Sequence, residues 1–168
     1  MAQFSKPTRK RPRRSALRWI APLLAALASG WWLVRPSPAE WRSLDLAVPV
    51  CGEAGGARAC AIDGDTVAIG FGREARRVRL TGFDAPELDG PCAGERAAAV
   101  AARSELSRWL SAGRFTWDGG TDPPRDRYGR ELRAARRGDA QLAEHMVARG
   151  FASDSGWGAQ AIDWCAAR

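Results

Sequence analysis

The residues best suited to chemistry lie in three short stretches: Asp63-Gly64-Asp65-Thr66, Arg79-Leu80-Thr81-Gly82-Phe83-Asp84-Ala85-Pro86-Glu87 and Asp126-Arg127-Tyr128-Gly129-Arg130. Aspartates offer oxygen ligands to a hard cation. A carboxylate beside such a cation can take a proton from attacking water. Arginines present planar donors that match phosphate oxygens. Cleavage of a phosphodiester needs these three parts. Taken alone, Asp63-Gly64-Asp65 reads more simply as a turn, because Asp-Gly is a common turn pair. The other two stretches shift that balance.

The elements around these residues must bring them together. Val67, Ile69 and Phe71 alternate with Thr66, Ala68 and Gly70, the pattern of a half-buried strand. Gly70-Phe71-Gly72-Arg73 supplies a turn, and Val78 and Leu80 alternate with Arg77, Arg79 and Thr81 on a second strand. Antiparallel pairing sets the start of one strand beside the end of the next, so Asp65 and Asp84 could share a cation. Pro86 biases Ala85 towards extended backbone and projects Glu87 from a stiff turn. Gly129 permits a tight turn that aims Arg130. Tyr128 suits either packing on a nucleotide or covering the fold as a turn aromatic. His145, the only histidine, falls in a predicted helix, where a structural role outweighs a catalytic one.

Further along, Pro91 suits the start of a helix over 93–111, with Ala99, Ala102, Leu106, Trp109 and Leu110 on one face. Phe115 and Trp117 mark a strand, and Glu131 to Arg137 another. Asp139 is a candidate N-cap for a second helix carrying Leu142, Met146 and Val147, which Gly150 would stop. Leu44, Leu46 and Val48 suggest an early strand, and Trp157 to Cys165 a short C-terminal helix. This order predicts an α+β fold, a small antiparallel barrel buttressed by helices.

In order and spacing, the three stretches resemble the staphylococcal nuclease (thermonuclease) family over roughly Arg58 to Ala152. The resemblance implies a five-stranded OB-fold barrel with packed helices. It also implies calcium-dependent hydrolysis of DNA and RNA that leaves 3′-phosphate and 5′-hydroxyl ends. By position, Asp65, Asp84 and the backbone carbonyl of Ala85 would be metal ligands, with Asp63 just behind. Glu87 would be the general base, and Arg79 and Arg130 would hold the reacting phosphate. Arg127 and Tyr128 would line the nucleotide pocket. Ala85 stands where the founding member has a threonine. A tyrosine at the pocket rim has no counterpart, Trp157 falling nearby.

Charge and cysteines place the site in a cell. The net charge is +7, yet seven of the 26 Lys and Arg residues lie in the first eighteen positions, which hold no acid. The remaining 19 bases balance the 19 acids, so the basicity belongs to the tail. Trp19 to Val34 carries no charge and would span roughly 24 Å as a helix. With Arg18 and Arg35 at its ends it reads as a membrane anchor, the basic side staying in the cytoplasm. Ala26-Leu27-Ala28 offers a signal-peptidase site as the alternative, and Arg13-Arg14 faintly resembles a twin-arginine signal.

The expected layout is a basic tail over 1–18, an anchor or signal segment over 19–35, a linker over 36–50 and an exported domain over 51–168. An even cysteine count in an exported domain suggests two disulfides. Of three possible pairings the preferred one is Cys51–Cys60, which closes a short Gly-rich loop, with Cys92–Cys165, which pins the C-terminal end beside the loop after Glu87. Without a Cys-x-x-Cys pair, a zinc site is not expected. The domain is expected to be a monomer without a protein partner, taking single-stranded or unwound DNA or RNA. A non-catalytic OB module that binds nucleic acid or protein is the rival reading.

Overall fold

The computed structural model describes residues 40–166, apart from 54 and 157. The segment expected to be an anchor, the basic tail and Trp157 therefore lie outside the described residues. None of the helices described is long and apolar enough to cross a membrane.

The elements run β1 (Arg42–Leu44), β2 (Ala59–Ala61), β3 (Thr66–Ile69), β4 (Arg76–Leu80), β5 (Phe83–Asp84), α1 (Ala93–Ser111) and β6 (Phe115–Trp117). After these come β7 (Glu131–Arg133), β8 (Ala135–Arg137), β9 (Ala140–Gln141), α2 (Leu142–Ala148) and β10 (Ser153–Asp154). The class is α+β. One sheet has the order β2-β3-β4-β7, a second β1-β6-β8-β9, and β5 pairs with β10. Pairing is antiparallel except between β4 and β7. None of the three sheets closes into a barrel.

The β3–β4 hairpin forms as its alternation predicts, with Val67 opposite Val78 and both buried. It stops sooner than the pattern suggests. Gly70 turns the chain at φ +97°, so Phe71 leaves the strand and is 60% exposed. β7 and β8 occupy the stretch read as one strand. They part at Ala134, whose N–H donates to Asp118 Oδ1 (2.6 Å), and the chain passes from one sheet to the other.

α1 presents Ala99, Ala102, Leu106, Trp109 and Leu110 to the core, all buried. Their spacing keeps them on one face of a helix. All but Ala99 pack in one cluster with Val67, Val78, Leu80, Phe83, Phe115, Trp117, Leu142 and Met146. Within the stretch expected as linker, β1 pairs with β6, and Val48 and Val50 are buried, so residues 40–50 belong to the folded unit.

Two expectations are corrected. Asp139 does not cap the second helix: it sits in the turn before β9, and α2 begins at Leu142 behind Gln141. The intervening pair Ala140–Gln141 is drawn into the sheet against β8, which delays the helix. The C-terminal helix does not form; the described residues there make turns, such as Ala166 N–H to Asp163 O. Both expected disulfides are present, Cys51–Cys60 and Cys92–Cys165.

Candidate active site

Asp63 builds the first wall. Its Oδ1 accepts the N–H groups of Asp65 (3.0 Å) and Thr66 (2.6 Å), an Asx-type turn that delivers Asp65 to the start of β3. Gly64 is required by close approach. A Cβ there would lie 2.6 Å from the Ala85 methyl and 2.8 Å from that of Ala102. Asp65 is thereby only 3% exposed. The Thr66 hydroxyl donates to its Oδ1 (2.9 Å) and the Ala85 N–H to its Oδ2 (3.2 Å).

Arg79 joins this wall to the next. Strand register sets Thr66 opposite Arg79. Arg79 Nη1 donates to Asp65 Oδ1 (2.7 Å), and its Nη2 donates to Asp84 Oδ1. Ser153 of β10 pairs with Asp84 and fixes its backbone.

The third wall is the turn at 126–130. Asp126 Oδ1 accepts the N–H groups of Tyr128 (2.9 Å) and Arg130 (3.0 Å), and Oδ2 accepts from Arg130 Nε (2.6 Å). Gly129 adopts φ +78°, a conformation glycine takes without penalty. The contact engages Nε of Arg130. Among the described residues, its two terminal nitrogens have no protein partner. Tyr128 is 69% exposed. Arg127 lies over its ring at 4.7 Å and donates to its hydroxyl (2.6 Å), with Arg130 5.5 Å from the ring centre.

Arg79, Asp84, Glu87, Asp126, Arg127, Tyr128, Arg130 and Leu132 line one open cleft of about 640 Å³. The structure therefore gathers six of the residues singled out from sequence: Arg79, Asp84, Glu87, Arg127, Tyr128 and Arg130. Asp65 and Ala85 stand behind them, joined through Arg79 and the Ala85 N–H. His145 is elsewhere, its Nε2 bonded to Glu105 of α1. Sequence reasoning gave Asp126 no role of its own, although it aims Arg130. An aspartate three residues before a glycine is a turn signal that could have revealed it.

Desolvation and the crowding of carboxylates set the electrostatics of the site. Burial, reinforced by the charge of Asp63, raises Asp65 to a pKa of about 6 against the lowering influence of Arg79. Partial desolvation at the cleft and the charges of Asp63 and Asp89 raise Glu87, although its side chain is exposed. Burial opposes the charge on Arg79, but Asp65 and Asp84 outweigh it and hold the guanidinium protonated. At Asp126, hydrogen bonds from Arg130 and Tyr128 outweigh desolvation and lower the pKa.

One arginine thus sits among several carboxylates, and the donors facing it are all oxygen. Such a set suits a hard divalent ion. A separate group, Cys92, Glu95 and Cys165, lies within 4.8 Å. Both of its sulfurs are in a disulfide, leaving no thiolate to bind a metal.

No family model matches the chain, and no curated protein matches it.

Proposed function

We propose that the protein is a calcium-dependent nuclease that hydrolyses phosphodiester bonds of DNA or RNA to 3′-phosphate and 5′-hydroxyl ends. One observation carries the reading. Arg79, Asp84 and Glu87 from one stretch and Arg130 from another converge on a single cleft, with Asp65 from the third behind them. A binding surface has no need of a raised carboxyl beside two arginines.

In this mechanism the cation would be held by Asp65, Asp84 and the main-chain carbonyl of Ala85. When bound, it neutralises charge on the phosphoryl oxygens and lowers the pKa of water. Glu87 takes a proton from the attacking water, its raised pKa bringing it nearer to a working base. Arg130, aimed by Asp126, donates to the phosphoryl oxygens as charge builds on them. Arg79 does the same from the opposite wall. Arg127 and Tyr128 hold a sugar or base beside the reacting phosphate.

The three sheets are read as opened segments of an OB-type barrel. Supporting this, the chain bends at Ala134 and carries one strand from the first sheet to the second. The two disulfides fit an oxidising, extracytoplasmic setting. Membrane attachment through residues 19–35 belongs to the same proposal.

The exposed Tyr128 with Arg127 against it would also serve a module that only binds nucleic acid. The two readings separate in one experiment. Cleavage of single-stranded DNA that needs calcium and is lost in Glu87→Gln supports the enzyme. Binding that survives EDTA and Glu87→Gln, with no cleavage, supports the module.

A further inference from the structure

The turn that carries Glu87 is braced by the first turn of α1. Gly90 N–H donates to the Glu87 carbonyl (3.0 Å), and Arg96 Nη1 donates to the Gly90 carbonyl (2.8 Å). Glu95 Oε1 accepts the Glu87 backbone N–H at 3.4 Å. Gly90 leaves room for that carboxylate, since a Cβ there would lie 2.6 Å from Glu95 Cδ.

Glu95 is held in turn by the disulfide. Cys92 caps α1, its Sγ accepting the Glu95 N–H (3.4 Å), and Cys165 Sγ lies 3.9 Å from Glu95 Oε2. The C-terminal segment that delivers Cys165 is fixed at its other end. Ile162 N–H donates to Ser153 Oγ (3.0 Å), and Ser153 pairs with Asp84. Asp84 and Glu87 therefore belong to one ring of chain, closed by the β5–β10 pairing at one point and Cys92–Cys165 at the other. Cys51–Cys60 spans nine residues beside β2 and takes no part in it.

We infer that Glu95 is a positioning residue for Glu87 and that Cys92–Cys165 is its brace, so that the site works at full rate only in the oxidised protein. This rests on the nuclease reading above. A general base must stay within hydrogen-bond reach of its water, and displacement by about 1 Å can cost about 100-fold in rate. Cys165 is exposed, so a dithiol can reach the bond. Reduction breaks the S–S bond and places a hydrogen on each sulfur, while the dithiol is oxidised to its cyclic disulfide. The covalent tie between the C-terminal segment and the start of α1 is then lost, and with it the packing of Cys165 beside Glu95.

The test measures kcat, KM and thermal midpoint on the full chain with calcium and single-stranded DNA. The proteins are the wild type, C92S/C165S, C51S/C60S, E95A and E95Q. C92S/C165S and E95A should lose about 10- to 100-fold in kcat with little change in KM. E95Q keeps an oxygen that can accept the Glu87 N–H and should retain kcat. C51S/C60S should lose thermal stability alone. Serine is itself a good N-cap, so C92S keeps the start of α1. If the double variant fails to fold, the E95A and E95Q pair, with the disulfide intact, decides the matter.

Wild-type kcat in E95A, or equal loss in E95A and E95Q, would overturn the positioning role. Wild-type kcat in folded C92S/C165S would overturn the brace. A wild type inactive with calcium would overturn the nuclease reading first, and this inference with it.

Discussion

The two ends of β4 carry the same kind of ion pair in opposite proportions. At Arg76 one carboxylate, Glu131, meets three arginines: Arg76 (3.0 Å), Arg125 (3.5 Å) and Arg133 (2.9 Å). At Arg79 one guanidinium meets two carboxylates, Asp65 and Asp84, while Asp63 adds negative charge to the same neighbourhood. Glu131 is 1% exposed and Arg133 2%, and the Arg133 guanidinium also donates to the carbonyls of Asp118 and Gly120. That cluster carries an excess of base around one buried carboxylate, with Arg133 inside beside Glu131 and Arg76 and Arg125 half-exposed, and its work is structural. The Arg79 cluster has an excess of acid and opens on a cleft. The sign of the excess charge, more than the presence of ion pairs, separates the two ends of the strand.

Substitutions at the two ends should therefore fail in different ways. Glu87→Gln should lower kcat by about 10²- to 10⁴-fold and leave the thermal midpoint in place, because Glu87 is exposed. Glu131→Ala should do the reverse. It leaves Arg133 buried without its carboxylate and should cost about 3–5 kcal/mol in a denaturant titration, with kcat per folded molecule retained. Loss of activity in folded Glu131→Ala would erase the distinction between the two ends.

Arg130→Ala should lower kcat by about 10²- to 10³-fold. Asp126→Ala should act in the same direction but less, since it leaves the arginine present and unaimed. The smallest effect is one of pH. Asp65 has a folded pKa raised from 3.8 to about 6, so the folded state holds its proton more tightly than the unfolded chain. Its contribution to stability is full below 3.8 and is lost as pH rises through about 6. In EDTA the loss is on the order of 3 kcal/mol. It is read as the difference between wild type and Asp65→Asn in denaturation at several pH values. Saturating calcium should flatten that slope.

How far these features were legible depends on how local their causes are. The β3–β4 hairpin and the buried face of α1 follow from side-chain period, which the sequence displays directly. Phe71 was misassigned because alternation continues on paper past Gly70, whereas the backbone turns there. The residues that line the cleft could be singled out because each stretch is short and self-contained. The Glu131 cluster could not, because Arg76 reaches it from 55 residues away. The run from Glu131 to Arg137 reads as one strand rich in arginine, a residue mostly found exposed. Arg133 is instead buried, its charge met by Glu131 two residues earlier. Asp139 has the right chemistry for a helix cap, but pairing of Ala140–Gln141 with β8 moves the helix start beyond it.

The disulfides lie between these cases. Loop size and position suggested the pairing that forms, yet nothing in the sequence showed that Glu95 links Cys92–Cys165 to Glu87.

The most direct test of the central claim is a calcium titration of single-stranded DNA cleavage by the full chain, with Glu87→Gln run in parallel. The account predicts cleavage that rises with calcium, stops in EDTA, leaves 3′-phosphate ends and falls at least about 100-fold in Glu87→Gln. Absence of cleavage across the titration, or undiminished cleavage in Glu87→Gln, would contradict it.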